Sequence, residues 1–383
     1  MRAVLISIVV LAVTPACAQA FAVESSQSGK GWIKLTVRDA AGATRVNITE
    51  AGNGVADVVP DNGQAVVRHA AAWRCDRLER TFTATASYPD GSTATATTAI
   101  RTPSCAKRFA LSVRALRGRI RVAISDRWKL GASPRVCVDP PARKPVCRAV
   151  KVPLRRTYRG PGFWTVSVGA AKRGVYVRPR GPLRLLATGD SMIQIVDTYL
   201  KERLAKRRIG VRSDARISTG LSKPFLLNWP RLAGRQARKL HPDVTVVFIG
   251  ANDGFPFGNV DCCGGAWVDA YAKRVEAMMR SYTRQNRGLV YWLTLPAPQP
   301  AQWRPVYPAV NRAIKRAAAR VGGSTRVLDI ARTFTPGYHF RRSMVWHGHR
   351  QTVRQPDGVH LSPNGASITE TLIERALRKD RVL

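Results

Sequence analysis

Three short stretches from the middle of the chain onward carry side chains whose types and order suit nucleophilic catalysis. Thr188-Gly189-Asp190-Ser191-Met192 follows an apolar run and opens a helix-length segment. A serine at such a strand-to-helix turn has its hydroxyl near the positive end of a helix dipole. Gly-Asp-Ser alone serves equally well as a helix cap. Gly250-Ala251-Asn252-Asp253-Gly254 follows a second apolar run. There an Asn amide can donate to a developing oxyanion, although the same residues make a good turn. In Asp357-Gly358-Val359-His360-Leu361-Ser362-Pro363 the Asp stands three residues before the His. At that spacing its carboxylate can fix the tautomer and direction of the imidazole. Together the three stretches supply nucleophile, oxyanion donor and base with orienter.

These residues need a scaffold that gathers strand ends. Leu183–Ala187, Val244–Ile249 and Leu289–Leu295 are continuous apolar runs, and Arg326–Ile330 is a fourth. Such runs mark parallel strands covered on both faces. Helix-length segments alternate with them: Met192–Lys206, Trp229–Leu240, Trp267–Gln285, Pro308–Val321 and Pro363–Arg378. The alternation predicts a doubly wound α/β domain, whose ligands bind beyond the carboxyl ends of the strands. All three chemical stretches fall at predicted strand ends or in the final loop.

The order and content of these blocks resemble the SGNH (GDSL-like) hydrolase superfamily over residues 183–383. The carrying motifs are Gly189-Asp190-Ser191, Gly220 within Ser218-Thr219-Gly220-Leu221-Ser222, Gly250-Ala251-Asn252-Asp253 and Asp357-Gly358-Val359-His360. The resemblance implies an α/β/α, flavodoxin-like parallel sheet and a serine mechanism with no metal or organic cofactor. It implies that Ser191 attacks an acyl carbonyl, His360 takes its proton and Asp357 orients His360. The oxyanion hole would comprise the Ser191 and Gly220 amides and the Asn252 side chain. Gly189, Asp190, Gly250 and Asp253 would support the loops. The serine is followed by Met192 where the fuller motif has Leu, a substitution conservative in volume.

Other groups have blander readings. His347 and His349 lack a third metal ligand and read as a solvated or substrate-facing loop. His241 reads as a helix-end residue, where a cation suits the dipole. Trp303, Tyr307 and Trp346 can stack on sugars or simply pack.

The chain has 383 residues, more than one core usually organises. Residues 1–20 read as an export signal: Arg2, the apolar run Val4–Val13, then Ala18 and Ala20 at the cleavage positions, so that Phe21 begins the mature chain. Residues 21–105 alternate apolar and polar positions between turns such as Asp61-Asn62-Gly63 and Pro89-Asp90-Gly91, predicting a small, Ig-like β-sandwich. Residues 106–180 repeat that pattern as a second small β domain. With Cys17 removed, six cysteines remain. Proximity favours Cys75–Cys105, Cys137–Cys147 and Cys262–Cys263. The last pair stands in the loop after Asn252, where it would stiffen one wall of a cleft. Lys and Arg number 63 against 24 Asp and Glu, a net charge of +39. The basic residues are spread along the chain without a nucleic-acid module, so nucleic acid is not expected as a partner. An anionic envelope polymer or membrane surface fits this charge, and so does a mere bias of composition. The expectation is thus a secreted or envelope-associated esterase without a transmembrane segment, acting on acyl, chiefly O-acetyl, esters of carbohydrate. Acyl transfer with the same residues and a non-catalytic, polymer-binding chain are the rivals.

Overall fold

The computed structural model describes residues 21–27, 32–69, 79–101, 108–127 and 132–383. The expected export signal, Cys17, Cys75 and Cys105 lie outside the described residues.

The first region contains β1 (Ala22–Gln27), β2 (Ile33–Arg38), β3 (Arg45–Glu50), β4 (Asn53–Val58), β5 (Ala65–His69), β6 (Glu79–Ser87) and β7 (Thr93–Arg101). They form two antiparallel sheets of order β1-β2-β5 and β4-β3-β6-β7. Period-two alternation produces the core: Ile33, Leu35 and Val37 point inward from β2, and Phe82, Ala84 and Ala86 from β6.

A second two-sheet unit, with its own core, contains β8 (Phe109–Leu116), β9 (Arg119–Asp126), β10 (Arg135–Asp139), β11 (Val146–Ala149), β12 (Leu154–Arg159), β13 (Gly162–Val168) and β14 (Ala171–Val177). Its sheets run β12-β9-β8 and β11-β10-β13-β14. Cys137 and Cys147 face each other across β10 and β11 and form the expected disulfide.

The third region comprises β15 (Leu183–Gly189), α1 (Val196–Ala205), β16 (Ile209–Ala215), α2 (Trp229–Leu240), β17 (Val244–Phe248), α3 (Gly265–Thr283), β18 (Leu289–Leu293), α4 (Val306–Val321), β19 (Thr325–Leu328), α5 (Ile330–Phe334), β20 (Ser343–Trp346), β21 (His349–Thr352) and α6 (Pro363–Lys379). The parallel sheet has order β16-β15-β17-β18-β19. Helices α2, α3 and α4 pack together, and α1 packs with α6. The chain steps outward from β15 to β16, then returns past β15 to β17. This reversal opens a crevice between the carboxyl ends of β15 and β17, the usual ligand position in such sheets. β17 and β18 are buried at every residue, as covered parallel strands should be. β16 lacks a continuous apolar run because it is the edge strand, with Arg212, Ser213 and Asp214 only partly covered or exposed. The helix expected from Met192 begins instead at Val196, after a turn that bends back on Asp190 and Ser191.

The second sandwich docks on the amino-terminal edge of this sheet. Phe163 and Tyr176 enter the α/β core. The Phe163 N–H donates to Asn286 O at 2.7 Å, and the Ala142 N–H to Gln285 O at 2.7 Å. Among the described residues no helix is long and apolar enough to cross a membrane.

Candidate active site

β15 delivers Gly189, Asp190 and Ser191 to the crevice. Gly189 is required there by a close approach: a Cβ would lie 1.9 Å from the Phe248 carbonyl oxygen of β17. The fully buried Asp190 carboxylate accepts from Met192 N–H at 2.9 Å with one oxygen. Its other oxygen accepts from Gly250 and Ala251 N–H at 2.8 and 3.0 Å. One side chain therefore joins the turn carrying the serine to the turn carrying Asn252. Burial pushes the Asp190 carboxyl up to about 6; the three N–H donors oppose that rise, and nearby Asp253 adds to it.

The Ser191 hydroxyl lies 2.7 Å from His360 Nε2, and His360 Nδ1 lies 2.5 Å from Asp357 Oδ2. The other Asp357 oxygen accepts from Val359 and His360 N–H at 2.8 and 3.0 Å. Partial burial raises the Asp357 pKa, but the hydrogen bonds from the imidazole and these two amides outweigh it and hold the carboxyl below its ordinary value. An ionised Asp357 requires a proton on Nδ1, which leaves Nε2 free to accept from the serine. The sequence motifs separated by 169 residues thus meet as one proton path.

Gly220 and Asn252 stand on the loops after β16 and β17, and these two loops meet. One Asn252 amide hydrogen goes to Thr219 O at 3.1 Å, leaving the second available to an oxyanion. Beneath them the buried Asp253 accepts from the Ser222 N–H and hydroxyl at 2.6 and 2.8 Å and from the Tyr271 hydroxyl at 2.7 Å. A Cβ on Gly220 would lie 2.4 Å from Asp253 Oδ1. A Cβ on Gly250 would lie 2.8 Å from the Val310 side chain and 3.0 Å from that of Leu295. Asp190 and Asp253 accordingly brace loops and stand behind the site.

Ser222, Tyr271 and Arg354 were not legible as site residues. The Ser222 hydroxyl also accepts from Gly254 and Phe255 N–H, both at 3.2 Å, tying together the loops that carry Gly220 and Asn252. Buried Arg354 donates to the carbonyls of Gly358 and Val359 at 2.9 and 2.7 Å and holds the Asp357–His360 turn. Burial lowers its pKa to about 10, so it remains charged at neutral pH. Only Ser222 had a sequence signal, its place two residues after Gly220.

The remaining candidates fall elsewhere. His347 and His349 lie at an exposed hairpin turn between β20 and β21, and no group of three ligating side chains exists among the described residues. His241 ends α2 in a left-handed conformation. Tyr307 is buried with its hydroxyl on Ala251 O at 3.3 Å, Trp303 stacks beside it, and Trp346 lies under Arg375. Cys262 and Cys263 are joined to each other and pack against the α/β core.

The family model described as "Protein of unknown function (DUF459)" matches residues 184–376. The chain belongs to this family. All four blocks that resemble the SGNH hydrolases lie inside the DUF459 match. No curated protein matches the chain. Among solved structures, this DUF459 chain is similar to a family two carbohydrate esterase from Cellvibrio japonicus, with 11% identity and a TM-score of 0.35 over 79% of this chain and 98% of that one. It is similar to a putative arylesterase from Agrobacterium tumefaciens, with 13% identity and a TM-score of 0.33 over 51% and 99% of the respective chains. The lipase Lip_vut3 from a goat rumen metagenome gives 17% identity and a TM-score of 0.32 over 51% and 97%.

Proposed function

We propose that this protein is an exported SGNH-type serine esterase that removes acyl groups, chiefly O-acetyl, from carbohydrate of the cell envelope. The observation that carries the reading is the continuous hydrogen-bonded path Asp357–His360–Ser191. Ser191 Oγ attacks the ester carbonyl while His360 Nε2 takes the serine proton, and Asp357 stabilises the resulting imidazolium. The Ser191 and Gly220 N–H groups and the Asn252 amide receive the oxyanion. Collapse expels the alcohol, which takes the proton from His360. Water then attacks the acyl-Ser191 intermediate with His360 again as base, releasing the carboxylic acid.

The site is open enough for water to serve as the acyl acceptor. The His360 and Asp357 side chains are 33% and 44% exposed, so water reaches the acyl-enzyme freely. Ile217, Phe225, Leu226 and Phe255 are exposed on the two loops that carry Gly220 and Asn252. They provide an apolar rim for part of the substrate. The carbohydrate assignment draws on the export signal, the net charge of +39 and the two sandwiches, read as Ig-like accessory domains.

The test is p-nitrophenyl acetate turnover together with labelling by a fluorophosphonate. Ser191→Ala is expected to lower turnover by about 10⁴-fold or more and to abolish labelling, with unchanged thermal unfolding. Wild-type turnover persisting in that variant would refute the assignment of Ser191.

A further inference from the structure

The second sandwich holds a cavity that has no part in the chemistry at Ser191. Its two sheets meet on one side, where β8 packs beside β14, and stand apart at edge strands β11 and β12. The opening between them leads into a cavity of about 730 Å³ that reaches the α/β domain at Asp243 and Arg284. That volume suits a small-molecule site.

The floor is made by the inward faces of three strands: Val136 and Val138 of β10, Leu154 of β12 and Trp164 of β13. The Tyr158 hydroxyl of β12, beside Trp164, is the polar group among them, since the Trp164 indole N–H already donates to Gly160 O at 3.0 Å. The rim is different. Arg143, Lys144, Arg148, Arg156, Arg159 and Arg287 surround it, all exposed, and among the described residues none of them forms an ion pair. The one carboxylate in the lining, Asp243, is occupied by the backbone N–H of Arg184 at 3.0 Å and by its guanidinium. Apart from Tyr158 and the occupied Asp243, every polar side chain in the lining is cationic, which suits an acidic ligand better than a neutral sugar chain. An apolar slot under a cationic rim matches a molecule with a hydrocarbon body and an acidic head.

We propose that this cleft binds an anionic amphiphile: a hydrocarbon chain carrying a carboxylate or phosphate. The chain lies between the two sheets and the head rests on Arg148 and Arg156, which project from the facing edge strands. The cleft opens at the amino-terminal edge of the parallel sheet, and Ser191 stands at the other. The length of β15 beyond Arg184, together with the turn that follows it, separates Arg184 from Ser191 by roughly 20 Å. The inference does not depend on the esterase reading.

The experiment titrates the full-length protein calorimetrically, below micellar concentrations, with dodecyl phosphate, dodecanoate and the uncharged dodecyl maltoside. Saturable one-to-one binding of either anion, at least tenfold tighter than of the maltoside, is expected, and the tighter anion identifies the head group. Two variants address head and chain separately. R148E/R156E should weaken the anions at least tenfold. Val146→Trp, at a half-exposed position in the mouth, should obstruct the chain without altering charge. Both variants should retain wild-type p-nitrophenyl acetate turnover. Equal affinity for the maltoside, undiminished binding in both variants, or binding of polygalacturonate with no binding of either amphiphile would overturn the proposal.

Discussion

Asp357 does two things with its two oxygens: one holds the imidazole, and the other holds the backbone of its own turn. Replacing it with Asn keeps the turn acceptor but presents either an amide N–H or a neutral oxygen to Nδ1. The favoured tautomer is then lost. Asp357→Asn is expected to lower kcat by about 10³- to 10⁴-fold while leaving KM within a few fold, measured with p-nitrophenyl acetate. A loss below tenfold would show that His360 is oriented by other means. This carboxyl was legible in the sequence because its spacing to His360 is local. Arg354 was not: its importance comes from aiming a guanidinium at two carbonyls of the same turn, which no spacing announces.

The buried Asp190 couples neighbouring strand ends and gives the fold a pH signature. Its folded pKa, about 6, stands above the usual carboxylate value. The folded state therefore binds this proton more tightly than the unfolded chain does. The associated stability is full below about pH 4 and is lost as pH rises through about 6, amounting to about 3 kcal/mol. Asp190→Asn does not titrate, so its stability relative to wild type should shift in its favour by up to that amount between pH 4 and 7. Denaturant unfolding at several pH values checks this; a constant difference would deny the raised pKa. At pH 7 the variant should lose roughly tenfold or more in kcat, because an amide cannot accept all three backbone donors. Legibility at this scale followed burial. β15, β17 and β18 stood out as continuous apolar runs, whereas edge strand β16 kept polar residues and gave no such run. The Asp253–Ser222–Tyr271 support was unreadable because a helix residue meets two loops only after folding.

The whole molecule is unequally joined. The first sandwich has a core separate from the others, while the second contributes Phe163 and Tyr176 to the α/β core. Phe163 is 4% exposed, with the Arg326 guanidinium 5.1 Å over its ring. Phe163→Ala should cost about 3 kcal/mol and split unfolding into two transitions, while p-nitrophenyl acetate turnover stays at the wild-type level. A single unshifted transition in calorimetry would deny that this ring couples the two units. The sequence showed two β regions and an α/β region, but the docking was hidden because Phe163 also reads as an ordinary residue of an alternating strand. The docking site has a mechanical consequence. Tension on the segment before residue 180 enters the parallel sheet at the starts of its strands, through residues 243 and 285–286 as well as the connecting backbone. It is shared among these contacts and the connecting backbone. The turns bearing Ser191 and Asn252 lie at the opposite ends of those strands, away from the point where such a pull first arrives.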